Sequence, residues 1–401
     1  MTPPPPLPLT EAQARLLAQV EPLAERVVPS EQAIGRYLSA PLLAARTQPA
    51  ADLSAMDGYA MRADDLAGPW QVIGESAAGH PFTGPLGAGE AIRISTGALM
   101  PRGDCAVLLQ ENAVRDADRL TLNGEGEPTP RHIRRAGFDF GQGDEVLPLG
   151  MRIGPAQLAL ALAAGHARLP VRALPSLAIL DSGDELAADP AACAPHQIPA
   201  SNGAMLAAMT APYVASAERQ GPVPDRLDAL LAALERAAEA DVIVTSGGAS
   251  VGDHDLVRPA LEQWGAEIDF WRVAMKPGKP LLVARRGRQW VIGLPGNPVS
   301  SYVTAFLFLL PLLRALGGAR EPLPRPIALP LGAPLPAAGN RMEFVRARAD
   351  GGTLVPVAEQ DSSALASLSR AEALIERQIG APPARAGELV PAYWLENGGI
   401  A

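Results

Sequence analysis

Between about residues 173 and 318, short apolar runs alternate with helix-patterned stretches, and this alternation restricts the fold more than any other feature of the chain. Strand-like runs at 176–180, 241–245, 268–275, 281–284 and 290–293 are interleaved with helical patterns at 204–211, 225–240, 254–264 and 298–316. That rhythm predicts a mostly parallel sheet with helices on both faces, an α/β doubly wound unit. Sheets of this kind bind ligands at the carboxyl ends of their strands.

The flanks differ in character. Residues 1–46 together with 137–172 are expected to form a small mixed N-terminal domain. Within it, 10–46 reads as mostly helical, broken or started at Pro22, Pro29 and Pro41. A helix over 11–21 has Thr10 as its cap, and an Ala-rich helix covers 155–164. Residues 47–136 carry short β runs at 70–73, 91–95 and 106–109 between Gly and Pro turns, which predicts an inserted β-rich domain. Residues 320–338 read as a proline-rich linker, and 339–395, within a last unit spanning 319–401, as a small all-β domain. No internal repeat is found. A length of 401 residues fits two to four domains, and 48% hydrophobic residues is too apolar for a disordered chain.

Charge and cysteine usage narrow the function classes. A net charge of −9 is a poor match to general nucleic-acid binding, which needs basic surface. Any anionic ligand must be held by a local site. Cys105 and Cys193 form no CxxC pair, so a zinc knuckle or disulfide framework is not indicated, and both read as buried thiols. The proline-rich start lacks the basic and apolar regions of a signal peptide. The most apolar run, 299–313, has 15 residues and contains Pro311, shorter than the roughly 20 residues of a bilayer span. A buried helix, no membrane contact and a cytoplasmic location are the expectations.

The 34 basic residues comprise 32 Arg and 2 Lys, and both lysines lie in Lys276-Pro277-Gly278-Lys279. An ammonium is a compact, strongly hydrated point charge, whereas a guanidinium is a planar fork. These two positions are therefore expected to need an ammonium.

Two strand–turn–helix junctions carry the anion-binding pattern. In Thr245-Ser246-Gly247-Gly248-Ala249-Ser250-Val251-Gly252-Asp253-His254-Asp255, glycines let the backbone approach a ligand, and a following helix start adds partial positive charge. Neither GxxxxGK[ST] nor GxGxxG is matched. In Leu294-Pro295-Gly296-Asn297-Pro298-Val299-Ser300-Ser301, Asn297 is suited to cap a helix and Pro298 to its first position. One helix end contributes only about 0.3–2 kcal/mol toward an anion. Micromolar binding needs about 8 kcal/mol, so both loops and both lysines are expected to converge. The carboxylates Asp57, Asp139, Asp184, Glu185, Asp253 and Asp255 complete the candidates. A carboxylate beside phosphate oxygens calls for a cation between them, and Mg²⁺ is the usual one.

These motifs resemble the molybdopterin molybdenumtransferase family, the MoeA proteins and the E domain of gephyrin. The matching stretches are Ser54-Ala-Met-Asp-Gly-Tyr-Ala60, Ile94-Ser-Thr-Gly-Ala98, Ser182-Gly-Asp-Glu-Leu186, Thr245-Ser-Gly-Gly-Ala-Ser-Val-Gly252, Lys276-Pro-Gly-Lys279 and Gly293-Leu-Pro-Gly-Asn-Pro-Val-Ser300. Six motifs in order, over essentially the whole chain from about residue 10, are highly specific. The resemblance implies a molybdopterin-binding α/β domain with the flanking units described above. It implies insertion of molybdate into adenylylated molybdopterin with release of AMP, assisted by Mg²⁺ as cofactor. It implies a homodimer whose site lies between one subunit's α/β domain and its partner's inserted domain, with an upstream adenylyltransferase as a further partner. Catalytic residues carried over are Asp57, Asp139, Glu185, Asp255, Lys276 and Lys279. Substrate-binding positions are Thr96, Ser182, Ser246, Gly247, Gly248, Ser250, Gly252, Pro295, Gly296, Asn297 and Pro298. Molybdate is assigned to Lys276, Lys279, Ser300, Arg341 and Ser362, and metal to Glu185 and Asp255.

The chain departs from the family pattern in two places. A family Asp ahead of the Ser201-Asn202 pair is Ala200 here, and another near Arg219-Gln220-Gly221 is absent. Those losses predict weakened metal binding, and they motivate an alternative reading as a non-catalytic molybdopterin-binding or scaffolding paralogue.

Overall fold

The computed structural model describes residues 5–247 and 256–395. At its centre lies a six-stranded sheet in the order Ser216–Val223, Ser176–Ser182, Val242–Ser246, Gln289–Leu294, Leu282–Arg286, Glu267–Trp271. The first four strands are parallel. Leu282–Arg286 is the reversed strand, because it forms a hairpin with Gln289–Leu294 across a two-residue turn with Gly287 at φ +61°, and the edge strand Glu267–Trp271, antiparallel to it, returns to the direction of the first four. Successive residues of a strand face opposite sides of a sheet. Leu177 and Ile179 accordingly enter one apolar core, and Ala178 and Leu180 the other. Both faces are covered, as the continuous apolar runs require.

The strand expected over 268–275 is split. It leaves the central sheet after Trp271, turns at Arg272 with φ +85°, and resumes as Met275–Lys276 in a different sheet. That change of sheet delivers Lys276 to the site.

The helix expected over 298–316 is one rod with a π-turn, Ala305–Leu309, between α segments Pro298–Thr304 and Leu310–Leu316. Pro311 has no N–H for the carbonyl four residues back, which is that of Leu307. The Gln13 amide donates to this carbonyl at 2.9 Å in the buried interior. The rod is long and apolar enough to cross a bilayer, but 89% of its apolar window is buried, as in a core helix.

Residues 10–46 are not mostly helical. The only α-helix there is Leu9–Leu17, followed by a short 3₁₀ turn at Ser30–Ala33. Glu25–Pro29 pairs with Arg168–Arg172, and Leu42–Leu43 with Glu145–Leu147. Three prolines and the β-branched Val27-Val28 pair explain the outcome. Pro8, not Thr10, occupies the cap position of the helix. Leu9, Ala12 and Leu16 join the core of the central sheet.

A second six-stranded sheet spans Gly58–Arg62 to Arg119–Leu122, with small apolar clusters on its two faces. The last sheet joins Met275–Lys276, Met342–Asp350, Ala373–Arg377, Leu389–Trp394 and Ile327–Pro330. The last of these strands, four residues long, lies inside the segment expected to be linker, so that part of the stretch is built into the sheet. A five-residue helix, Leu365–Ser369, accompanies it. Cys105 is buried, and burial pushes its thiol up, whereas Cys193 is only half-buried.

Candidate active site

Three parallel strands end side by side. Register places Asp181 opposite Ser246, and Ser246 opposite Leu294, so the loops that follow start level with one another. Gly247 sits at φ +100°, and a Cβ there would stand 2.3 Å from the Ser182 carbonyl oxygen. Only glycine fits both the conformation and the approach. Its N–H donates to Leu294 O at 3.2 Å. Asn202 then ties the two loops together, donating to Ser246 Oγ at 2.9 Å and to Gly296 O at 2.7 Å. Asn202 was not singled out as a site residue from sequence. Its position at the start of the helix Asn202–Thr210, level with the strand ends, was the available signal. Ser182 and Ser246 are buried with protein partners, so their hydroxyls form the floor of this edge. Gly248, Ser250, Gly252 and Asp255 lie outside the described residues.

The second loop works differently from expectation. Asn297 holds the cap position, but its side chain makes no capping bond. It reaches across to the C-terminal unit and donates to Ser362 Oγ at 2.8 Å. The Ser362 carbonyl accepts the Val299 N–H at 3.1 Å. Pro298 has no N–H to offer. The helix start therefore gives one of its donors to the fold, and it is a weaker anion site than the motif predicts.

The loop carrying Ser362 is held by Arg346, which is 1% exposed. Its guanidinium donates to the carbonyls of Glu359 at 3.1 Å and Asp361 at 3.0 Å. Burial lowers its pKa, since desolvation disfavours the charged form.

The lysine tetrapeptide is a tight loop closed by Val273 N–H donating to Lys279 O at 3.0 Å. At Gly278, φ is +100° and a Cβ would meet the Thr304 methyl at 2.4 Å, so the loop is seated directly on the core helix. Lys276 Nζ lies 3.4 Å from Glu343 Oε1. Arg341 Nη1 donates to Met275 O at 3.5 Å.

Between these parts opens a cavity of about 1000 Å³. Lys276, Lys279, Arg341, Ser300 and Ser362 line it, with Glu185, Gly247, Pro295, Gly296 and Asn297. Half of the residues predicted from sequence thus meet in one place. Pro298 starts the helix beside it without lining it. Asp57, Thr96 and Asp139 are exposed and lie outside it. The first two touch each other, Thr96 N donating to Asp57 Oδ1 at 2.8 Å.

The strand edge is richer in carboxylates than the sequence departures imply. Asp225 accepts from Ser182 Oγ at 3.0 Å, and its N–H donates to Asp184 Oδ1 at 3.1 Å. Asp181 is 3% exposed, beside Arg219 at 3.7 Å. Burial raises its pKa, against the opposing pull of Arg219. Among the described residues no three metal-ligating side chains converge. Glu185, a carboxylate of this edge that lines the cavity, is a donor that would fit a Mg²⁺ completed by substrate oxygens and water.

Family models match along the chain in order: the MoeA N-terminal region (domain I and II) at 7–165, a probable molybdopterin binding domain at 178–315, and the MoeA C-terminal region (domain IV) at 328–395. A molybdopterin molybdenumtransferase of Staphylococcus aureus is 30% identical over 404 residues, covering 98% of this chain and 96% of the relative. The chain belongs to the MoeA family. It is an enzyme of molybdenum cofactor biosynthesis, a molybdopterin molybdenumtransferase by kind. Molybdopterin molybdenumtransferase 2 of Mycobacterium tuberculosis is 34% identical over 364 residues, 87% of this chain and 90% of the relative. A crystal structure of the molybdopterin biosynthesis MoeA protein of Pyrococcus horikoshii superposes with a TM-score of 0.83 at 26% identity, covering 98% of this chain and all of that one. The fold and the family seen in the motifs are both confirmed.

Proposed function

We propose that this enzyme transfers molybdate into adenylylated molybdopterin and releases AMP, with Mg²⁺ assisting, as a cytoplasmic homodimer supplied by an upstream adenylyltransferase. The observation that carries this reading is the meeting of both lysines with Arg341, Ser300 and Ser362 in one cavity beside the Gly247 loop. A tetrahedral dianion has four oxygens to satisfy. Hydrogen bonds to charged groups contribute about 1.5–3 kcal/mol each, so three cations and two hydroxyls reach the roughly 8 kcal/mol of micromolar binding. The same cavity has volume left for a second, larger substrate.

In this reading Lys276, Lys279 and Arg341 bind and orient molybdate, and the Gly247 loop holds the phosphate end of the pterin substrate. Glu185, with Asp255, would hold Mg²⁺, which supplies charge neutralisation at the phosphates. Asp57, Thr96 and Asp139 stand outside the cavity of their own chain, which supports delivery of that surface by a second subunit. The scaffolding alternative rests on the absent carboxylates; Asp181 and Asp225 stand at the same strand edge but do not line the cavity, so Mg²⁺ dependence of AMP release is what separates the two readings.

The test is AMP release by purified protein given adenylylated molybdopterin, Mg²⁺ and molybdate; release no greater than the blank sinks the proposal. Lys276→Ala should lower molybdate use at least tenfold while nucleotide binding changes little. Equal loss of both would refute the role given to Lys276.

A further inference from the structure

The cavity wall carries a row of charge of which the proposed reaction uses only Lys276. Lys276, Glu343 and Arg377 stand opposite one another on three neighbouring strands, Lys276 in register with Glu343 and Glu343 with Arg377. Directly opposed residues share one face of a sheet, and all three line the cavity. The middle carboxylate is unequally shared. Glu343 Oε1 accepts from Lys276 Nζ at 3.4 Å and from the Gly339 N–H at 3.3 Å.

Arg377 has no such partner. It is 6% exposed, and its Nη2 donates only to main-chain carbonyls, those of Pro336 at 3.2 Å and of Pro382. Its Nε is buried without an acceptor. Its neighbour Glu376 alternates to the other face, where it accepts from the Tyr393 hydroxyl. Among the described residues Arg377 makes no ion pair, so a buried guanidinium is short of a counter-ion one strand away from a carboxylate.

We propose that Glu343 is the built-in competitor of the oxyanion: it holds Lys276 until a dianion takes the ammonium, and Arg377 then receives the displaced carboxylate. Opposed side chains on adjacent strands have Cβ atoms about 4.5–5.5 Å apart, so a rotamer change of Glu343 makes the transfer without backbone movement. The exchange makes Glu343 a specificity residue. A monoanion offers Lys276 no more charge than the carboxylate it must displace, whereas a dianion such as molybdate offers twice as much. This inference rests on the oxyanion subsite proposed above.

Calorimetric titration of the full-length protein with molybdate alone, and with the monoanion nitrate, tests it. Glu343→Gln should bind molybdate about two- to fivefold tighter, the range of a partly exposed ion pair, and should gain affinity for nitrate. Arg377→Gln should weaken molybdate by a similar factor when Glu343 is present and have no effect in the Glu343→Gln background. Arg377→Lys, which keeps the charge and guards against a folding defect, should bind as the wild type does. Equal or weaker binding by Glu343→Gln overturns the proposal. So does an Arg377→Gln loss of the same size in both backgrounds. If neither wild type nor Glu343→Gln binds molybdate, the oxyanion subsite itself falls, and the competitor with it.

Discussion

Asp181 shows how a single side chain can matter without touching a ligand. It is a buried carboxylate at the end of a central strand, and its Oδ2 would lie 2.1 Å from a Cβ on Gly203, so the start of the helix carrying Asn202 packs directly on it. Its native pKa is raised, chiefly by burial. The native state therefore keeps this proton to higher pH than the unfolded chain does. The associated stability is complete below the unfolded carboxylate pKa and is lost as pH rises through the native value. Asp181→Asn removes the titration, so its melting temperature should rise relative to wild type as pH is raised above the ordinary carboxylate range. A difference that stays constant with pH would contradict the burial argument.

Individual elements here are completed by residues from far away in the chain. The core helix is made irregular by Pro311, and the carbonyl it orphans is satisfied by Gln13, 294 positions earlier in the sequence. Gln13→Leu keeps the apolar packing of the N-terminal helix but leaves the Leu307 carbonyl unpaired. A buried unsatisfied acceptor costs about 1–3 kcal/mol, and chemical denaturation should show a loss of that order. Unchanged stability would mean that the carbonyl finds another donor. The helix pattern was readable from sequence, because apolar periodicity and the Asn297-Pro298 start are local signals. The π-turn was not, because it depends on which distant donor meets the carbonyl.

For the molecule as a whole, the decisive contact joins the α/β unit to the C-terminal sheet. Asn297 and Ser362 bridge them, and Arg346 stiffens the loop that makes the bridge. A double-mutant cycle of Asn297→Ala and Ser362→Ala should give a coupling of about 0.5–1.5 kcal/mol in stability, the range of one net hydrogen bond. Strict additivity would show that the two units dock without this bond. The cavity exists only because these units meet. Lys276 was recognisable as one of only two lysines and Arg341 through the family resemblance, while Glu343, Arg377 and Arg346 carried no sequence signal that set them apart from surface charges.

What the chain's sequence determined by itself was local and chemical. Apolar runs of strand length separated by helical patterns specified a covered sheet, since both faces of those strands must be buried. The Gly-rich turns and the isolated lysine pair marked candidate positions for backbone and ammonium groups to face an anion. The tertiary structure decided what those groups meet. It turned Asn297 away from its own helix, gave Val299 N–H to Ser362, and placed Asp225 and Asp181 at an edge that looked depleted of carboxylates. It also carried Lys276 out of the central sheet and into line with Glu343 and Arg377. Periodicity and turn chemistry act over a few residues, whereas a hydrogen-bond partner or a counter-ion is chosen by whichever group packing brings within about 3–4 Å.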